Sequence, residues 1–167
     1  FQRNQYQNSK NSFIKAQTFD VEDQSFEGQL SLNVASAEYK LSQYEESFKR
    51  CLEIDVVQLK QQDQIKLYLL MHANGAGLMQ LEKQYYAMLL LNSYATSEEE
   101  FAVSKYAKNL SQVSLSLTAE QKIVELAKLK DKNYYIVNRE VRDIIDNYHK
   151  KGMTEQAEKL SSWIEKD

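Results

Sequence analysis

No proline occurs anywhere in the 167 residues, and only four glycines do. That is the tightest constraint on the fold. Sheets built from hairpins need Gly, Asn-Gly or Pro to reverse the chain within a few residues. A chain nearly free of such residues turns tightly only rarely, whereas long helices tolerate the composition well. Hydrophobic residues make up 43% of the chain, enough to build a core, so global disorder is not expected. The expected fold class is all-α, as a single domain or one continuous repeat array across 1–167.

Local signals place the helices. Ser97-Glu98-Glu99-Glu100 and Thr118-Ala119-Glu120-Gln121 both fit the capping box, where a hydroxyl and a carboxylate or amide satisfy free N–H groups at a helix start. Tyr134, Val137, Val141, Ile144, Ile145 and Tyr148 form one apolar helix face. Ile123, Leu126, Ala127 and Leu129 fall near helical spacing too. Together these predict about nine helices, over 3–17, 25–42, 44–61, 62–81, 83–95, 97–114, 118–130, 132–151 and 154–166.

Small residues recur at fixed distances. Ala35 and Ser47 are twelve apart around the segment Lys40 to Tyr44, and Gly75 and Ala87 are twelve apart around Leu81 to Gln84. Tyr6, Ser9, Phe13 and Ala16 alternate aromatic and small residues near the start. Ala157, Ser161 and Ile164 follow a turn at Lys151 to Thr154. The segment Tyr39 to Phe48 resembles the turn and second helix of a tetratricopeptide repeat, and the small pairs resemble the close helix contact of that family. The small second-helix positions, Ser9, Ser47, Ala87 and Ala157, are separated by 38, 40 and 70 residues. The last gap is two repeats long, so a degenerate repeat is expected near 97–131. The resemblance implies a right-handed superhelical array of antiparallel helix hairpins, an α-solenoid, with repeats of roughly 1–22, 25–61, 62–96, 97–131 and 132–167.

Little in the sequence points to catalysis. The two histidines, His72 and His149, stand 77 residues apart in no metal-ligand spacing. Cys51, the single cysteine, falls at a core position, which reads as a buried, inert thiol. The Gly75-Ala76-Gly77 stretch follows no predicted strand and lacks the P-loop lysine, so helix packing explains it better than phosphate binding. Nothing pairs two acids in a recognisable acid–base motif. We expect a protein that is not an enzyme, with no catalytic residues, metal or cofactor.

The net charge of −3, from 24 acidic and 21 basic residues with no Lys/Arg cluster, argues against direct nucleic-acid binding. The longest apolar runs, such as Leu67 to Met71 and Ala87 to Leu91, fall far short of the roughly 20 residues a membrane span needs, so no membrane insertion by this segment is expected. The lone Cys fits a reducing, cytoplasmic setting. The first residue is Phe1 and not Met, which leads us to expect a longer parent protein; a membrane-anchored extracytoplasmic domain is the alternative localisation.

In the family the chain resembles, the first helix of each pair lines a concave face that binds peptides. That resemblance puts Leu32, Ser36, Tyr39 and Lys40 on the groove, followed by His72, Ala76, Met79 and Gln80, and then Arg139, Arg142, Asp146 and His149. Tyr39, Lys40, His72, Met79, Arg139, Arg142 and His149 are the candidate partner-binding residues, with a basic end at Arg139 and Arg142 suited to a carboxylate. Chaperone-binding members hold a terminal carboxylate with Lys and Asn four apart. Here those positions read Leu32/Ser36 and His72/Ala76, so that clamp is missing. The function expected is a protein- or peptide-binding scaffold in a larger assembly. The alternatives are a peptide-sensing domain of a bacterial transcription regulator, or a scaffold of a membrane-anchored secretion component.

Overall fold

A computed structural model describes residues 2–19, 23–132 and 134–164. Among these the chain is all-helical, with ten α-helices, one 3₁₀ turn and no strand. The helices are α1 (Gln2–Gln17), α2 (Gln24–Lys40), α3 (Tyr44–Glu53), α4 (Gln61–Gly77), α5 (Leu81–Leu91), α6 (Glu98–Val103), α7 (Ala107–Leu115), α8 (Ala119–Ala127), α9 (Tyr135–Lys150) and α10 (Thr154–Ser161), with the 3₁₀ turn at Val56–Gln58. The chain divides into two compact units, Phe1–Ala87 and Met88–Asp167. None of the described helices is long and apolar enough to cross a membrane. The expected end of the last helix at residue 166, and the expected repeat boundary at residue 22, lie outside the described residues.

Unit 1 is built around α2. Its residues Leu30, Val34 and Ala37, with Leu41 just after its end, recur at helical steps and are buried, as are Leu32 and Ala35 between them. The helix is therefore covered on more than one side: α1, α3 and α4 all pack against it. The α3 helix contributes Ser47, Phe48 and Cys51, and α4 contributes Leu67, Tyr68 and Met71. Burying one such leucine or methionine stabilises the unit by about 2 kcal/mol. By contrast, α1 buries none of its described residues.

Three helix connections share one geometry. Ser42, Met79 and Gly152 take left-handed backbone angles, with φ of 62°, 55° and 72°. In each, the left-handed residue donates its N–H three residues back: Ser42 to Tyr39, Met79 to Ala76, Gly152 to His149. The residue after it donates five back, Gln43 to Glu38, Gln80 to Gly75 and Met153 to Tyr148, each at 2.9 Å. This double closure satisfies the last carbonyls of the first helix and starts the next one at once. The three left-handed residues stand 37 and 73 apart. The connection from α7 to α8 at Ser116 falls midway, 37 after Met79 and 36 before Gly152. It is made differently: Ser116 stays right-handed, and Thr118 and Gln121 close a full capping box.

The structure corrects several expected boundaries. The helix predicted over 44–61 ends at Glu53, because the Asp55 side chain accepts from the Val57 N–H and draws the chain into the 3₁₀ turn, with Ile54 and Leu59 extended and buried on either side. The helix predicted over 97–114 is two. It breaks at Ser104, whose hydroxyl donates to the buried Asn92 side chain at 3.0 Å while Asn92 donates to the Tyr106 carbonyl at 3.3 Å. Glu100, expected to complete a capping box with Ser97, instead accepts from the N–H of Thr96 at 2.7 Å.

Of the small pairs, Ala35 and Ser47 meet as expected, both fully buried, the Ser47 hydroxyl donating to the Ala35 carbonyl at 2.7 Å. Gly75 also marks a close helix approach, but its nearest neighbours are Lys83 and Gln84: a Cβ there would lie 2.9 Å from the Gln84 amide nitrogen. Ser9, the supposed small contact on α1, is exposed; Lys10 beside it makes the contact to α2.

Candidate functional site

In unit 1 a cleft of about 760 Å³ opens between the faces of α2 and α4. The α2 wall carries Gln29, Leu32, Asn33, Ser36, Tyr39 and Lys40; the α4 wall carries Lys60, Gln62, Asp63, Lys66, Leu69 and Leu70. Gln29, Leu32 or Asn33, Ser36, and Tyr39 or Lys40 follow one another at steps of three or four, which is why one helix face supplies them all. The size is within the range of about 300–1,000 Å³ usual for ligand sites.

Behind the cleft lies a set of buried polar bonds. Glu38, one residue before Tyr39, points the other way and is 1% exposed. The Arg50 guanidinium donates to both of its carboxylate oxygens at 2.9 Å, and the Lys10 ammonium lies 3.2 Å away. Burial pushes the Glu38 carboxyl up, but the hydrogen bonds and charges of Arg50 and Lys10 outweigh it, and its pKa ends below the ordinary value. Lys10 also donates to Gln43 at 2.8 Å, so α1, α2, α3 and the turn between the last two are tied to one carboxylate. A second chain of bonds crosses the core: the Asn74 amide donates to Ser47 at 2.7 Å, and Ser47 donates to Ala35.

Within the cleft Tyr39 packs on Tyr44, with ring centroids 5.5 Å apart, and the Lys40 ammonium lies 5.8 Å from the Tyr39 ring centre. Tyr44 in turn lies against Gly77, where any Cβ would meet its ring at 2.8 Å. The small Gly75-Ala76-Gly77 stretch is thus a packing surface on both glycines. On the opposite wall, Lys66 donates to Asp63 at 2.8 Å and Gln29 reaches the other oxygen at 3.3 Å. The Lys66 hydrogen bond, then its charge and the bond from Gln29, hold Asp63 below the usual carboxylate range despite some desolvation.

The remaining candidates fall elsewhere. His72 is half-buried, and burial lowers its pKa, which favours the neutral ring. Met79 sits at the apex of its turn, 89% exposed. In unit 2, Arg139 is not a free basic end. Its guanidinium stacks 4.3 Å from the centre of the buried Phe101 ring and reaches Glu98 and Glu140 at 3.4 Å and Asp143 at 3.6 Å. Tyr135 completes this group by donating to Glu98 at 2.5 Å. Arg142 and His149 are exposed on α9. A smaller recess of about 280 Å³ in unit 2 is formed by Lys130, Asp131, Lys132, Tyr134, Val137, Asn138 and Trp163. Burial raises the Cys51 thiol to about 12, so it stays protonated and is a poor nucleophile at neutral pH.

The α4 wall was missed because its register was set on Gly75 and Ala87. Taking the left-handed turn residues as the reference places Met79 opposite Ser42, and Leu69 then occupies the place of Leu32. Leu69 does line the cleft, whereas the Gly75-based register had put His72 there. Comparison of the chain with family models, with curated proteins and with solved structures finds no match.

Proposed function

We propose that this chain is a non-catalytic binding module, a tetratricopeptide-like array of helix hairpins that takes a peptide segment of a partner protein in the α2–α4 cleft. The observation that carries the reading is that Leu32, Ser36, Tyr39 and Lys40, the four residues the repeat pattern assigns to a groove on α2, all line one cleft. The near-even spacing of the four helix connections, at 37, 37 and 36 residues, supports a repeated unit, including the degenerate one at α7 and α8. A scaffold also suits the bonded backing of the cleft, since a preformed site loses less entropy on binding. The test is to select peptides from a displayed library on the purified chain and measure their affinity for Tyr39→Ala and Leu69→Asp. Both positions are on the cleft, so both variants should bind about tenfold more weakly while keeping their helical circular dichroism. Selected peptides that bind both variants as well as the parent chain would move the site off this cleft.

A further inference from the structure

The charges of the cleft are the reverse of those of the chain. Its ionisable lining is Lys40, Lys60, Lys66 and Asp63, three cations to one anion, in a protein with a net charge of −3. The N-terminus of the seventeen-residue helix α4, at Lys60–Gln62, lies at one end of the cleft and adds the positive end of the helix dipole there. Asp63 does not cancel this. It is already matched to Lys66 and to Gln29 of α2, which leaves Lys40 at the C-terminal end of α2 and Lys60 at the N-terminal end of α4, both exposed, toward the two ends of the cleft. Between them run apolar groups, Leu32 on one side and Leu69 and Leu70 on the other, with the Tyr39 ring beside Lys40.

From this juxtaposition we infer that the cleft takes an extended acidic peptide, in which internal aspartate or glutamate side chains alternate with aliphatic ones. The carboxylates meet Lys40 and Lys60, and the aliphatic side chains rest on Leu32, Leu69 and Leu70. In an extended strand, alternate side chains point to opposite sides, so one peptide meets both kinds of surface at once. The inference rests on the binding-module reading above and narrows it to a partner class. A peptide fits better than a nucleic acid. The cleft offers one aromatic ring, Tyr39, where a single-strand binder uses several.

The probe is an acetylated and amidated peptide alternating glutamate with leucine, which has no terminal carboxylate. It is compared with the versions carrying glutamine or lysine in place of glutamate, and with an oligothymidylate. The glutamate peptide should bind about tenfold more tightly than the glutamine version, with an advantage that shrinks as salt is raised. Lys40→Glu/Lys60→Glu should lose it and gain the lysine peptide. Asp63→Asn should bind the glutamate peptide more tightly than the parent, a gain that misfolding cannot produce. If the glutamine version binds equally well, the acidic partner is wrong while the peptide module stands. If the oligothymidylate binds more tightly than any peptide, the partner class is wrong. If selected library peptides and all three defined peptides fail on the folded chain, both readings fall.

Discussion

The α2/α3 and α9/α10 hairpins make the same turn and are fastened in opposite ways. Each closes on a left-handed residue, Ser42 or Gly152, and restarts through a residue with φ −88° and ψ near 62°, Gln43 or Met153. Behind the first turn lies the buried carboxylate Glu38, bonded to Arg50 and Lys10, beside the Ser47–Ala35 contact. Behind the second lie Ile144, Ile145, Tyr148, Ala157 and Leu160, all buried. The turn geometry is therefore set by the backbone hydrogen bonds and the left-handed residue, not by what fills the interface. The filling decides how the hairpin responds to its surroundings.

The largest expected effects test that contrast. Ile144→Ala should cost about 3–4 kcal/mol by leaving a cavity, with little dependence on pH. Arg50→Ala should cost about 3 kcal/mol at neutral pH, because it strips the buried Glu38 of its main partner. The pH dependence carries the sign. Glu38 has a lowered pKa in the fold, so its contribution is present above the ordinary carboxyl value of 4.5 and is lost as pH falls through the folded value. The difference between parent and Arg50→Ala should accordingly shrink as pH falls toward that lowered folded value, below which a neutral Glu38 no longer needs the guanidinium. Hydrogen exchange read separately on α3 and α10 in urea provides the check. An Arg50→Ala penalty that is flat with pH would mean Glu38 is not the charge being satisfied.

A middle-sized effect sharpens the register. Gly75→Leu should cost about 1–3 kcal/mol by overpacking, because even a Cβ crowds the Gln84 backbone at 2.9 Å. A neutral result would contradict the close approach of α4 and α5 there. The smallest effects concern the turns. Gly152→Ala should lose about 1 kcal/mol, since φ +72° is strained for any side chain even with open space around it. Met79→Gly should gain a similar amount at the matching position. Thermal unfolding of the two variants reports both signs, and shifts in the same direction would break the equivalence of the two turns.

Much of the fold was legible because it depends on local chemistry. The lack of proline, the Thr118 capping box and the apolar stripe from Tyr134 to Tyr148 each act within a few residues, and each led to the right element. The Ser104 break was not legible, since it depends on Asn92, a buried amide twelve residues away. Ser42 and Met79 were also hidden, because neither is the glycine that usually advertises a left-handed turn. Half of the cleft could be read from the Ala35/Ser47 spacing. The α4 wall could not, because Gly75 and Ala87 are twelve apart without being the pair in closest contact, and the register slipped by three. Arg139 looked like a free cation for a related reason. Its carboxylate partners Glu98 and Glu140 and its Phe101 platform converge only in the folded unit.

The central claim, that unit 1 binds peptides between α2 and α4, is tested most directly by titrating the glutamate–leucine peptide into isotope-labelled protein and following backbone amide shifts. The account predicts that the shifts gather on Leu32, Ser36, Tyr39, Lys40, Lys66 and Leu69. Shifts centred on α9 or around Trp163, with the α2 and α4 amides unmoved, would contradict it.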